Sequence, residues 1–177
     1  GVSSSPRVVE DGRPIPRGGG VYRIGRAYTV AGRRYTPTEN QRAETGVASW
    51  YGRQFHGRLT ANGEVYDMHS LSAAHRTMPM PSYARVTNLA NGHSIVVRVN
   101  DRGPFHHNRV IDLSGRASHL LNFRHHGVAR VRVEPASHGK LRAPLGRVVG
   151  LDRVSLAVAM RHEVSDRSAA RGQSLDR

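Results

Sequence analysis

The 177-residue chain contains no cysteine. That excludes disulfides, a thiol nucleophile and cysteine-ligated zinc, and it leaves the redox compartment open. Lysine is almost missing: Lys140 is the only one, so nearly all of the 27 basic residues are arginine. Asp and Glu together number 13, and the formal net charge is +14. Such an excess favours anionic partners, whether nucleic acid, an acidic lipid surface or an acidic polysaccharide, although arginine richness equally follows from codon composition. Aromatic residues are scarce at 6%, and hydrophobic residues reach only 37%, so part of the chain is expected to stay unpacked. No apolar run approaches the roughly 18 residues that a membrane-spanning helix needs. The chain opens Gly1-Val2-Ser3-Ser4-Ser5 without a signal-peptide pattern, so a targeting segment is expected to be absent or already removed.

What is present is concentrated in one stretch. Residues 1–20 are rich in Gly, Ser, Pro and Arg and read as a flexible linker; Gly18-Gly19-Gly20 lacks the strand and helix context of a phosphate loop. Residues 21–45, with Tyr22, Tyr28 and Tyr35, read as an extended arm. The dense segment is 46–136. Strands are predicted at Val47–Tyr51, Tyr83–Asn88, 93–99 and Gly127–Glu134, and a helix near 114–121 capped by Asp112 or Ser114. Asn91-Gly92 reads as a two-residue hairpin turn, which would pair Val86 with Val97, Ala84 with Val99, Arg85 with Arg98 and Ser82 with Asp101. Many short strands, few helices and glycine-rich turns indicate an all-β domain, a small barrel or a sandwich, with one or two short helices. Residues 137–177 form a basic tail expected to be largely disordered, with 151–164 able to form a short amphipathic segment.

The most informative run is Val99-Asn100-Asp101-Arg102-Gly103-Pro104-Phe105, where an apolar strand ends in a carboxylate. Asp101 is the leading candidate for an acid/base: partial burial would keep it protonated near neutrality, while Arg102 would act in the opposite sense. The alternative is an Asp that only accepts backbone N–H bonds from the Arg-Gly-Pro turn. His75 is a candidate to orient Asp101 or exchange protons with it, or is simply structural. Glu64 is a second carboxylate near the reacting bond, or a solvated turn residue. Among the aromatics, Trp50 reads as core, whereas Tyr51 has the opposite strand parity and, with Phe55, suits a sugar-stacking groove. Acid, imidazole and stacking rings in one small β domain fit cleavage of a carbohydrate backbone. His106-His107 and His125-His126 are adjacent pairs that point to opposite strand faces, so neither a metal site nor a cofactor is expected. Nothing has the form of a recognition helix or an aromatic single-strand platform, so nucleic acid is not an expected partner.

Gly46-Val47-Ala48-Ser49-Trp50-Tyr51-Gly52, Phe55-His56-Gly57, Thr60-Ala61-Asn62-Gly63-Glu64, Ala73-Ala74-His75, Val97-Arg98-Val99-Asn100-Asp101-Arg102-Gly103-Pro104 and Ile111-Asp112-Leu113-Ser114 occur in this order. Together they resemble the rare lipoprotein A (RlpA) family of septal-ring lytic transglycosylases. The resemblance implies a double-psi β-barrel, the fold also found in expansins. It implies cleavage of peptidoglycan strands that lack stem peptides, leaving 1,6-anhydro-N-acetylmuramic acid ends, in the periplasm or cell envelope and with a role in daughter-cell separation. It implies Asp101 and His75 as the essential pair, with Glu64 as the accompanying glutamate, and these three as the catalytic residues. In lytic transglycosylation the sugar's own C6 hydroxyl attacks, so one acid/base can suffice. Around the triad, Tyr51, Phe55, Thr60, Asn62, Arg85, Arg98, Asn100, Arg102 and Asp112 are the candidates for contacting the glycan. A monomer is expected. The family's lipid-bearing cysteine and its glycan-binding carboxyl-terminal repeat are not in this chain, and a division-machinery partner cannot be named. The alternative is a non-catalytic, expansin-like peptidoglycan-binding module.

Overall fold

The computed structural model describes residues 5–136. The expected tail at 137–177 lies outside the described residues. Six strands close a barrel. In chain order the eight strands are β1 (Tyr28–Val30), β2 (Arg33–Tyr35), β3 (Glu44–Tyr51), β4 (Ser72–Ala74), β5 (Ser82–Asn88), β6 (Ser94–Asp101), β7 (Arg109–Ser114) and β8 (Val128–Ala136). The barrel runs β3-β7-β4-β6-β5-β8, and β1 and β2 form a separate hairpin. Two pairs, β3 with β7 and β4 with β6, are parallel; the other barrel pairs are antiparallel.

Strand β6 explains the arrangement. Its sequence Ser-Ile-Val-Val-Arg-Val-Asn-Asp is rich in β-branched residues, and every residue except Asp101 is buried. Such a run tolerates a central position covered on both faces. Ile95, Val97 and Val99 join Val86, Ile111 and Leu113 in the core, each with at most 1% exposure. A six-stranded barrel has room inside for side chains only, so this packing fills it. Among the described residues the one α-helix, α1 (Gly115–Leu120), follows β7 directly, and a 3-10 turn occupies Arg53–Phe55. Ser114 caps α1 by accepting the Ala117 N–H at 3.2 Å, so the cap is Ser114, while Asp112 lies within β7.

Two expectations change. The β5–β6 hairpin pairs Ser82 with Val99, Tyr83 with Arg98, Arg85 with Val96 and Thr87 with Ser94, a shift of two residues from the Asn91-Gly92 turn. Asn88 is the cause. Its carbonyl accepts the Gly92 N–H at 2.8 Å, its side chain accepts the Ala90 N–H at 3.0 Å, and its amide donates to Leu121 at 2.9 Å. These bonds stabilise a longer loop over 89–92. A two-residue shift preserves side-chain parity, so the apolar face is unchanged but Arg85 no longer opposes Arg98.

The arm is not merely extended. It contains the β1–β2 hairpin, turned by Ala31 and Gly32 with φ of 49° and 76°. Tyr28 stacks on Tyr35 at 5.2 Å across it. The expected linker also touches the domain, the Val8 and Val9 N–H groups bonding the Gly57 carbonyl, and at the start of the arm the Val21 N–H bonds that of Asn62.

Candidate active site

Asp101 is the last residue of β6, where the ladder ends, and it is half-buried there. Its Oδ1 accepts two backbone N–H groups, from Ala61 at 3.0 Å and Arg102 at 2.9 Å. Oδ2 takes no hydrogen bond from the described residues. Burial pushes the Asp101 pKa up to about 6; the two N–H bonds and the Arg102 charge oppose this, and the Asp112 carboxylate adds to it. The Arg102 N–H bond is the backbone anchoring expected of the turn; it engages one oxygen only, and the other is unbonded among the described residues.

Ala74 of β4 is flanked by Asp101 on β6 and Asp112 on β7. The two acids share one face, roughly 10 Å apart between backbones, which is two strand spacings. Ser49 donates to Asp112 Oδ1 at 2.5 Å, and Arg109 reaches Oδ2 at 3.5 Å. Burial raises the Asp112 pKa. Sequence reasoning passed over Ser49, although it shares the strand parity of Tyr51.

His75 and Asp101 are neighbours through their backbones, the His75 N–H bonding the Asp101 carbonyl at 3.0 Å. The imidazole does not bond the Asp101 carboxyl. Its Nε2 lies 2.7 Å from Glu44 Oε1, and its Nδ1 accepts the N–H groups of Thr77 and Met78, each at 3.1 Å. The hydrogen bond from His75 holds the Glu44 carboxyl below its ordinary range, against the effect of burial. Glu44 lies 31 residues before His75 and carried no local signal.

Glu64 is buried at 5% exposure. Arg98 donates to it through Nε at 3.0 Å and through Nη2, and Asn100 donates to Oε2 at 2.7 Å. Burial alone would raise the Glu64 pKa, but the bonds and charge of Arg98, with Asn100 and Asn62, bring it below the ordinary value. The ion pair fastens the turn that also contains the Thr60–Asn62 side-chain bond of 2.9 Å and the Thr60 N–H bond to the Glu64 carbonyl at 2.7 Å. That turn presents the Ala61 N–H to Asp101. Glu64, Thr60, Asn62, Arg98 and Asn100 are thus buried supports of the turn rather than open groove residues.

The other candidates divide. Arg102 donates to the carbonyls of Ile24 at 2.6 Å, His75 at 3.3 Å and Met78, tying the arm and the 75–78 turn to Asp101. Tyr51 packs on Tyr66 at 4.3 Å and edge-on to Phe55 at 5.8 Å, and burial, then the Asp101 charge, holds its hydroxyl well above its ordinary pKa. Phe55 is the ring left open, at 39% exposure. Trp50 packs against the core edge, with Arg124 over its ring at 5.1 Å. Arg85 lies between Val96 and Glu134 in the β6-β5-β8 sheet and is not brought into the Asp101 group. Of the glycine run, Gly20 has a packing role: a Cβ there would stand 2.6 Å from both Asn62 Nδ2 and Glu64 Cγ.

The fold is a closed six-stranded β-barrel of the double-psi class, with the carboxyls of Asp101 and Asp112 on one face of it. A family model described as lytic transglycolase matches residues 43–133, and the chain belongs to this family. A protein of Neisseria meningitidis serogroup B named endolytic peptidoglycan transglycosylase RlpA is 58% identical over 118 residues, covering 65% of this chain and 49% of that protein. Proteins of the same name from Pseudomonas aeruginosa strain PAO1 and Vibrio cholerae are 53% and 54% identical over 128 and 109 residues. The alignments cover 71% and 60% of this chain, and 37% and 41% of those relatives. The chain spans about half or less of the length of the curated relatives it matches.

Proposed function

We propose that this domain cleaves the glycan backbone of peptidoglycan by lytic transglycosylation. It acts between N-acetylmuramic acid and N-acetylglucosamine, in strands lacking stem peptides, within the cell envelope, and serves wall remodelling and daughter-cell separation. The observation that carries this reading is Asp101: one oxygen is pinned by two N–H groups, the other is unbonded among the described residues, and the pKa is about 6. The relatives' printed names support it.

In this mechanism the protonated Asp101 donates its proton to the glycosidic oxygen as the bond to the anomeric carbon breaks and the bonding pair passes to that oxygen. The Asp101 carboxylate then takes the proton of the C6 hydroxyl as that oxygen bonds the anomeric carbon. The 1,6-anhydro ring closes and Asp101 is protonated again, so no second carboxylate need activate water. Holding the C6 hydroxyl near the anomeric carbon contributes several kcal/mol by proximity. Glu64 supports the turn that orients Asp101, and Phe55 and Tyr51 line the approach.

Mass spectrometry of peptide-free glycan strands after incubation should show new 1,6-anhydro ends with wild type and none with Asp101→Asn. Retention on the strands without new ends from wild type would replace the enzyme with a binding module.

A further inference from the structure

His75 cannot act on Asp101 through its ring. Both ring nitrogens are engaged elsewhere, and the residue is 3% exposed. Two N–H groups converge on Nδ1, which must therefore be the acceptor, so the ring proton resides on Nε2 and is donated to Glu44. The turn that His75 fastens then does something specific. Its carbonyls at 75 and 78 receive the Arg102 guanidinium, and the Arg102 N–H in turn holds Asp101 Oδ1. The His75 N–H holds the Asp101 carbonyl from the other side. A continuous path of hydrogen bonds therefore joins Glu44, at the start of β3, to the reacting carboxyl at the end of β6.

We infer that Glu44 is a positioning residue of this site: it accepts the Nε2 proton and so holds the His75 ring, whose Nδ1 fastens the 75–78 turn that aligns Arg102 and Asp101. The inference deepens the transglycosylase reading and, for its effect on turnover, rests on it. The charged groups facing the His75–Glu44 pair are Arg76, whose Nη2 lies 3.8 Å from Glu44 Oε2, and Arg102. Neither removes the need for an acceptor at Nε2. A glutamine at position 44 still offers a carbonyl oxygen there; an alanine offers nothing.

The test compares Glu44→Ala with Glu44→Gln. Turnover of peptide-free glycan strands should fall between about 10- and 100-fold in the alanine variant, the scale of a small misplacement transmitted to a catalytic group. KM should stay within about twofold, and the glutamine variant should recover most of the turnover, because the anchored turn is not a glycan contact. Two nuclear magnetic resonance readouts do not depend on activity: the ring nitrogen shifts of His75, and the titration of the Asp101 carboxyl carbon. Wild type and Glu44→Gln should show a single Nε2–H tautomer. In Glu44→Ala the ring should leave the Thr77 and Met78 N–H groups, giving mixed tautomers and a moved Asp101 midpoint. An Asp101 titration and turnover unchanged in Glu44→Ala would overturn the inference, as would equal loss in both variants with the Asp101 titration unmoved. If wild type makes no anhydro ends, the functional reading fails and the two resonance measurements alone decide for or against Glu44.

Discussion

Replacing Asp101 by Asn should remove activity and make the protein more stable at neutral pH. An Asn side chain keeps an oxygen where Oδ1 accepts the N–H groups of Ala61 and Arg102, so the turn geometry has no reason to change. It loses the titratable proton. The folded Asp101 has its pKa raised from 3.8 to about 6, so the native state binds this proton more tightly than the unfolded chain does. Stability must then fall as pH rises through the window from 3.8 to about 6, and above it the deficit is constant. A shift of about two units corresponds to an upper limit of about 3 kcal/mol. The buried amide carries its own desolvation cost, so a net gain on the order of 1 kcal/mol and a few degrees in Tm is expected at pH 7. Loss of a general acid/base should lower turnover by about 100- to 10,000-fold. Thermal unfolding at pH 7 and pH 3, alongside anhydro-end release, measures both halves. A gain that persisted undiminished at pH 3, or a variant less stable than wild type at pH 7, would refute the account of a desolvated, proton-holding carboxyl.

Four further outcomes follow from the same geometry. Arg98→Ala leaves Glu64 buried without its partner, and urea unfolding should show a loss of about 3–5 kcal/mol. The folded Glu64 pKa is depressed, so its contribution is present above the ordinary value of 4.5 and is lost as pH falls through the folded value; Glu64→Gln should lessen the acid-induced loss seen in wild type below that pH. Gly20→Ala drives a methyl group into Asn62 and Glu64 and should cost about 1–3 kcal/mol by overpacking or release the 5–20 segment, which limited proteolysis would detect. Ser114→Ala removes the cap of α1 and should destabilise the fold by about 0.5–2 kcal/mol in thermal unfolding, with anhydro-end release per folded molecule unchanged.

Local pattern was enough for much of the scaffold. Short runs of strand-forming residues between turn signals identified β3, β5, β6 and β8, and Ser114 followed by Ala117, Leu120 and Leu121 marked the helix, because strand propensity and capping act over a few residues. Asp101 was visible for the same reason: a carboxylate ending an apolar strand is a local anomaly. Strands β1, β2 and β4, of three residues each, are too short for a period to show. Their pairing is set by barrel closure and by the Tyr28–Tyr35 stack. The hairpin register depended on Asn88 reaching Leu121, 33 residues away. The surroundings of the acid were decided at similar range in the sequence: Glu64 met Arg98 and Asn100 because the 60–64 turn folds over β6, and Glu44 met His75 because β3 closes the barrel beside the 75–78 turn. Residue type and short-range period therefore determined which segments become strands and which carboxylate ends one. Only the closed barrel decided which charges are paired and buried and which proton remains exchangeable, since pairing energies depend on distances that separation along the chain does not encode.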